Sequence, residues 1–357
     1  MRDVKILCTI GPACEDVKTI GLMIEAGMDG ARVNLSHGSA ASQESKLKNF
    51  RRACEIKNAY GCSIMFDIRG PEIRVKEIPG GELLLEKGEL VTLHCEDEET
   101  DSLCGYDNGV YIGNTLPVNY ADLADQVEVG TEILIDDGKI RLAVEDVNDS
   151  DIICHVETGG KVLSRKGVNL PDVKLQMDYL GEDDKEDILY CIENKVDYIA
   201  GSFIRREADV ITLRKFLDEN GGSDIGIIAK IENKEAVSNL EGIAKAADQV
   251  LVARGDMGVE VGMEKVPAIQ KRIIRKCNEL GTAVIIATQL IDSMTENPVP
   301  TRAEVSDIAN AVYDGATDLL VTGETAAGKY PVQVVEMLER IIAQAEVDLS
   351  RYGEEIL

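Results

Sequence analysis

Residues 225–258 read IGIIAKIENKEAVSNLEGIAKAADQVLVARGDMG. The run 225–229 is short, apolar and β-branched, the pattern of a strand buried on both faces. It ends in Lys230, Glu232 and Asn233. Residues i and i+2 of a strand share a face, so Lys230 and Glu232 are expected to project together. Residues 235–247 then carry an amphipathic helical pattern. A second buried strand, 249–253, ends in Arg254 and Asp256, with Gly255 and Gly258 predicting a tight turn. Two consecutive strands thus place a lysine and two carboxylates at their C-terminal ends, the edge at which α/β folds bind ligands. That set suits a divalent ion with an anionic group beside it. Taken singly, each strand end could equally be a surface salt bridge at the start of a loop.

Working outward, the same alternation organises most of the 357 residues. Strands are predicted at 5–10, 30–34 and 62–66, with helices at 16–25 and 42–58 between them. From about 75 to 175 the helical period disappears, and short alternating segments are punctuated by Gly and Asp. This predicts a small all-β domain, read as a barrel, whose tips include Asp136-Asp137-Gly138 and Ser164-Arg165-Lys166-Gly167. The α/β rhythm then resumes, with helices at 183–194, 208–219, 235–247, 265–280, 303–313 and 331–347. They alternate with strands at 198–203, 225–229, 249–253, 283–287 and 319–322. Three strands before the insertion and five after it make eight, each followed by a helix. The expected fold is therefore α/β, a TIM (β/α)8 barrel with the small all-β barrel inserted after strand 3. The corresponding domains are 1–74 with 176–357, and 75–175.

Composition narrows the function. The chain is 44% hydrophobic but only 4% aromatic and lacks tryptophan, so the core must be aliphatic. The formal net charge of −27 argues against nucleic acid and anionic membranes as partners. It also requires that any anionic ligand be met by local cations or bound metal. No apolar run approaches the length of a membrane span. The N-terminus, MRDVKILCTIGPA, lacks the form of a signal peptide. Nine scattered cysteines without a CxxC pair fit buried thiols in a reducing cytoplasm. The three histidines, His37, His94 and His155, are too dispersed for a histidine metal site.

A closed barrel gathers all eight strand ends onto one face. Arg32, Arg74, Lys230 and Arg205 supply cations, and Asp67, Glu72, Glu232, Asp256 and Glu324 supply carboxylates. Asn34, Ser36, Thr288 and Thr322 add neutral polar groups. No Cys–His or Ser–His pair suggests a covalent nucleophile. The set favours metal-assisted chemistry on an anionic, oxygen-rich substrate, either phosphoryl transfer or enolate chemistry.

The segments CTIGPA, AGMDGARVNLSHG, DIRGPEIR, SRKGVNLP, SFIRREADV, IIAKIEN, VARGDMGVE, ATQLIDSM, NPVPTRAE, DIANAVYDG and GETAAGKYP run in order along almost the whole chain. Together they resemble the signature blocks of the pyruvate kinase family. The resemblance implies a cytoplasmic glycolytic phosphotransferase that moves the phosphoryl group of phosphoenolpyruvate to ADP, giving pyruvate and ATP. It implies Mg2+ (or Mn2+) held by Glu232 and Asp256, with Lys230 stabilising the phosphoryl group and Arg32 reaching the phosphate. Gly255 and Asp256 would offer backbone N–H groups to the substrate carboxylate, and Thr288 would sit where the enolate is protonated. Asn34, Ser36, Asp67 and the carbonyl of Ile68 would hold K+, a dependence that Glu72 accompanies in this family. His37 and Arg74 would lie toward the nucleotide with Asn34 and Lys166. The inserted domain would be a lid carrying Asp137 and Lys166 over the site. A homo-oligomer formed through the barrel is expected.

The sequence departs from the family pattern in three places. Members usually continue into a C-terminal α/β domain with an effector site, whereas this chain stops at Leu357. The expectation is that this domain, and regulation through it, are absent. Ile68 stands where threonine is common, and Met177-Asp178 where Leu-Pro is common. Two other readings share the residue set: a metal-dependent lyase acting on pyruvate or phosphoenolpyruvate without nucleotide, and a non-catalytic truncated paralogue. Nucleotide dependence separates the first from a kinase, and any metal-dependent turnover separates both enzymes from the paralogue.

Overall fold

In a computed structural model describing residues 2–36, 40–78, 80–95, 106–107, 110–111 and 114–356, the chain divides into two compact units. One comprises Met1–Gly70, Tyr179–Met257 and Glu264–Leu357, the other Pro71–Asp178 and Gly258–Met263. The first begins β1 (Lys5–Thr9), α1 (Val17–Ala26), β2 (Gly30–Asn34), α2 (Ala40–Lys57), β3 (Ser63–Asp67). The Asp16 carboxylate caps α1 by accepting from the N–H groups of Lys18 and Thr19, both at 3.0 Å.

The second unit holds β4 (Glu82–Leu85), β5 (Leu90–His94), β6 (Tyr106–Asp107), β7 (Val110–Tyr111), β8 (Thr115–Pro117), β9 (Glu132–Ile135), β10 (Ile140–Asn148), β11 (Asp151–Thr158), β12 (Gly160–Leu163) and β13 (Val168–Asn169). Six of these form a sheet in the order β13-β9-β10-β11-β5-β8. Its two edges are stitched together by two residues. Val75 bridges Val118 just past β8, and Arg74 bridges Gly167 just before β13. The Val75 N–H donates to Lys166 O at 2.8 Å, and the Lys76 N–H to Pro117 O at 2.7 Å. The sheet therefore curls into a small barrel around Leu93, Leu116, Ile133, Leu142 and Val156.

The first unit resumes with α3 (Glu182–Glu193), β14 (Tyr198–Gly201), α4 (Glu207–Glu219), β15 (Gly226–Ile231), α5 (Lys234–Ser238), α6 (Leu240–Ala246), β16 (Gln249–Ala253) and α7 (Arg254–Val261), whose last turn belongs to the second unit. Then follow α8 (Val266–Leu280), β17 (Ala283–Ala287), α9 (Arg302–Tyr313), β18 (Asp318–Val321), α10 (Gly323–Ala326) and α11 (Pro331–Ile356). Its eight strands close in the order β1-β18-β17-β16-β15-β14-β3-β2, and every pairing is parallel. Leu7, Met65, Ala200, Ile228, Leu251, Ile285 and Leu320 fill its interior. Aliphatic residues suit this packing because they stack in layers without polar atoms to satisfy.

Two local expectations fail. The helix expected over 235–247 is two helices, since Asn239 separates them and donates its side-chain N–H to Arg205 O at 3.0 Å. The turn expected at 255–258 is instead the first part of α7, which starts directly at the end of β16. Gly70 closes the segment after β3 at φ +70°, where an added Cβ would lie 2.4 Å from Ser202 O. Gly281, at φ +71°, has open space around the same position. Gly281→Ala should therefore cost about 1 kcal/mol from backbone conformation alone. Gly70→Ala should cost at least about 2 kcal/mol, because a backbone atom must also move. Urea unfolding midpoints of the two variants check this ordering.

Candidate active site

The C-terminal rim of the eight-stranded barrel carries a ring of paired polar groups. At its centre is Asp67, the last residue of β3 and only 1% exposed. Its Oδ2 accepts from Arg32 Nε at 2.8 Å and Nη2 at 2.5 Å. Its Oδ1 accepts from Ser202 Oγ at 2.9 Å and Lys230 Nζ at 3.1 Å. Lys230 also donates to Ser202 Oγ at 2.7 Å and meets Glu232 Oε1 at 3.0 Å. The expected shared face of Lys230 and Glu232 is thus realised. Phe203 N–H donates to Glu232 Oε2 at 2.6 Å. Arg32, Ser202 and Lys230 belong to β2, the residue after β14, and β15, so one carboxylate ties four adjacent strands.

The charges are mutually supported. Burial raises the Asp67 carboxyl, but Lys230 and Arg32 outweigh it and hold it below the usual carboxylate range. Burial likewise works against the Lys230 ammonium, yet Asp67 and Glu232 keep it protonated well above its ordinary value. Burial pushes Glu232 upward and Lys230 opposes it, while the nearby Asp256 carboxylate pushes it up further. Glu232 directly follows β15, and Asp256 stands in the first turn of α7, just past the neighbouring strand β16. Hard carboxylate oxygens brought together in this way suit a divalent cation. No group of three or more His, Cys, Asp or Glu side chains suited to a metal occurs among the described residues, so two protein carboxylates would leave the remaining coordination to substrate and water, as Mg2+ commonly requires.

On the opposite arc, Thr288 follows β17, and its Oγ1 accepts the Gly255 N–H at 3.0 Å. Arg254 grips the Thr288 carbonyl at 2.5 Å and the Gln289 carbonyl at 2.8 Å, and pairs with Asp307 at 2.6 Å. Glu324, 1% exposed, accepts the N–H groups of Thr322 at 2.7 Å and Ile291 at 3.3 Å. Thr9 completes the circuit: its Oγ1 donates to Val321 O at 3.0 Å and accepts from Arg32 Nη1 at 3.2 Å.

Other expected residues have more local partners. Asn34 Oδ1 accepts the Ser36 N–H at 3.0 Å, and the Ile68 N–H donates to Ala200 O at 3.1 Å. Arg205 is occupied by a buried pair with Asp209 at 3.1 Å. In the second unit, Arg74 pairs with Glu72 at 2.6 Å and Lys166 with Asp136 at 2.7 Å. His37 lies outside the described residues. Thr9 and Ser202 were missed by sequence reasoning, which weighed Ser36, Thr288 and Thr322 among the hydroxyls at strand ends but not these two. Their positions at the ends of the first strand and of β14 are the signal that could have found them.

Asp67→Asn removes the carboxylate shared by Arg32 and Lys230 and should cost about 3–5 kcal/mol by leaving buried charge uncompensated. Asp307→Asn, which removes a half-exposed partner of Arg254, should cost about 1 kcal/mol. Equal losses in chemical denaturation would refute the central place given to Asp67.

Known proteins resemble this chain in sequence and fold. The family described as pyruvate kinase, barrel domain, matches residues 1–335. A pyruvate kinase of Clostridium perfringens is 41% identical over 351 residues, covering 98% of this chain and 72% of the relative. One of Bacillus licheniformis is 42% identical over 352 residues, covering 98% of this chain but 58% of the relative. The crystal structure of a pyruvate kinase from Cryptosporidium parvum superposes with a TM-score of 0.88 at 37% identity, covering 97% of this chain and 70% of that one. With its barrel, its inserted β-domain and its matching residues all accounted for, the chain belongs to the pyruvate kinase family.

Proposed function

We propose that this chain transfers the phosphoryl group of phosphoenolpyruvate to ADP, giving pyruvate and ATP. The observation that carries the reading is Lys230, a lysine 11% exposed at its side chain and held charged between Asp67 and Glu232. A fixed ammonium in a water-poor rim suits a group whose negative charge spreads over phosphoryl oxygens during transfer. Arg32 adds a second fixed cation for the phosphate. Glu232 and Asp256 are assigned to Mg2+ or Mn2+, which would supply positive charge to the enolate and phosphoryl oxygens.

Thr288 is assigned to orienting a proton donor. Its hydroxyl oxygen already accepts from Gly255, so its own proton is available to a water beside the enolate carbon. Gly255 and Asp256 open α7, whose first N–H groups form a natural carboxylate cradle. Asn34, Ser36, Asp67 and the Ile68 carbonyl are assigned to K+, which would share the Asp67 oxygens with Arg32 and Lys230. Asn34, His37, Arg74 and Lys166 are assigned to the nucleotide. A cytoplasmic location and a homo-oligomer formed through the barrel complete the proposal. Among the described residues, no helix is long and apolar enough to cross a membrane.

The test is pyruvate formation from phosphoenolpyruvate and ADP with Mg2+, with and without K+. Turnover should need ADP and rise with K+, and Lys230→Met should lower kcat by at least about 10²–10³-fold while remaining folded by circular dichroism. Pyruvate released without nucleotide would indicate a lyase. No turnover from folded wild-type protein would overturn the assignment.

A further inference from the structure

Among the described residues, Cys54 and Cys62 form the one thiol pair that includes a half-buried cysteine. Among the described cysteines only Cys62 is outside the buried class. Their proximity follows from a backbone device. Helix α2 ends with Asn58 in the left-handed region at φ +53°. The Ala59 N–H then donates back to Cys54 O at 2.9 Å, and the Asn58 N–H to Glu55 O at 3.2 Å. This is the chain reversal that caps helix C-termini. A second turn follows at once, with the Cys62 N–H donating to Ala59 O at 3.1 Å. The two reversals return Cys62 to the last turn of α2, and the thiols come within hydrogen-bonding reach of each other.

The surroundings distinguish this pair from the others. Cys62 lines a recess of about 820 Å³ at the end of the barrel where the strands begin, beside Tyr60, Gly61, Ser63 and Asp197. Cys54 lies behind it, 8% exposed. Cys8 and Cys14, and likewise Cys95 and Cys154, are neighbours but are enclosed at 1% exposure or less. A small oxidant that enters the recess meets a half-buried cysteine whose Sγ donates to Met28 O at 3.5 Å. Its neighbour can then complete the reaction, the usual layout of an accessible thiol beside a resolving one.

We propose that Cys54 and Cys62 are a reversible modification site that closes to an intrachain disulfide on reaction with a low-molecular-weight disulfide such as oxidised glutathione. In the first step a Cys62–glutathione mixed disulfide forms and one glutathione thiol leaves. In the second, the Cys54 sulfur attacks the Cys62 sulfur, and the second glutathione thiol leaves. The protein loses two thiol protons and two electrons. The oxidant's S–S bond is broken, and two glutathione molecules carry the protons away. The proposal is independent of the catalytic assignment, since it is read by mass and not by turnover.

The test treats the folded full chain with oxidised glutathione, quenches by alkylation and maps peptides by mass spectrometry. The expected result is a species lighter by two hydrogens with a Cys54–Cys62 cross-link that dithiothreitol reverses. Cys54→Ser should instead accumulate glutathione on Cys62 and form no cross-link. A wild-type protein in which both cysteines remain alkylatable would overturn the proposal. So would one in which Cys62 stays glutathionylated without closing, or in which a cross-link appears only after unfolding in urea.

Discussion

The Asp67 carboxylate is the constraint on which the rim of the barrel depends. Two cations and a hydroxyl converge on two oxygens. In the barrel order β15-β14-β3-β2, the partners come from every strand of a contiguous arc. Arg32 and Lys230 would repel each other without it, and burial would favour releasing the Lys230 proton. With it, a lysine nearly out of contact with solvent stays charged. A protein with a net charge of −27 thereby keeps a pair of fixed cations on the rim where an anion can be received. The many acidic residues elsewhere do not cancel it, because screened surface charge weakens over roughly 10 Å while these contacts are direct.

The same logic runs around the circuit. Arg32 passes from Asp67 to Thr9, and Thr9 to Val321. Thr325 returns from the last strand's loop by donating to Thr9 O at 2.9 Å. Glu324 links Thr322 to Ile291, and Arg254 links the loop after β17 to the end of β16. Buried polar groups are costly unless each has a partner. A rim that must present charge to a ligand therefore needs this continuous pairing. It explains why threonine and serine alternate with charged residues there: their hydroxyls both donate and accept, and bridge groups that only donate or only accept.

Much of this was legible in the chain. β2, β16 and β17 fall at the expected residues because buried parallel strands are unbroken apolar runs closed by polar residues. The charged residues at the ends of β15 and β16 marked Lys230, Glu232 and Asp256 before any contact was known. Thr9 and Ser202 carried only the weak signal of a hydroxyl at a strand end, and their part in the rim shows only once Arg32, Asp67 and Lys230 are in place around them. The closure of the inserted sheet by Arg74 and Val75 was equally hidden, because two residues have no period. The helix break at Asn239 depends on a tertiary acceptor, Arg205 O, rather than on local propensity.

Thr288 shows how the rim fixes a side chain by force of backbone. Both Thr288 and Gln289 lie in the left-handed region, at φ +68° and +51°. For a β-branched residue that conformation is strained, on the order of 1–3 kcal/mol. It persists because the guanidinium of Arg254 holds both carbonyls and the Gly255 N–H holds the hydroxyl. An unconstrained threonine would relax to the extended region and turn its hydroxyl elsewhere. The neighbouring strands β16 and β17 thus use two elements of the segment VARGDMG, an arginine side chain and a glycine N–H, to position one hydroxyl from the next loop. Strain held in this way at a strand end, on the same barrel rim as the buried Lys230 ammonium, is better accounted for by a requirement on where that hydroxyl stands than by any gain in stability.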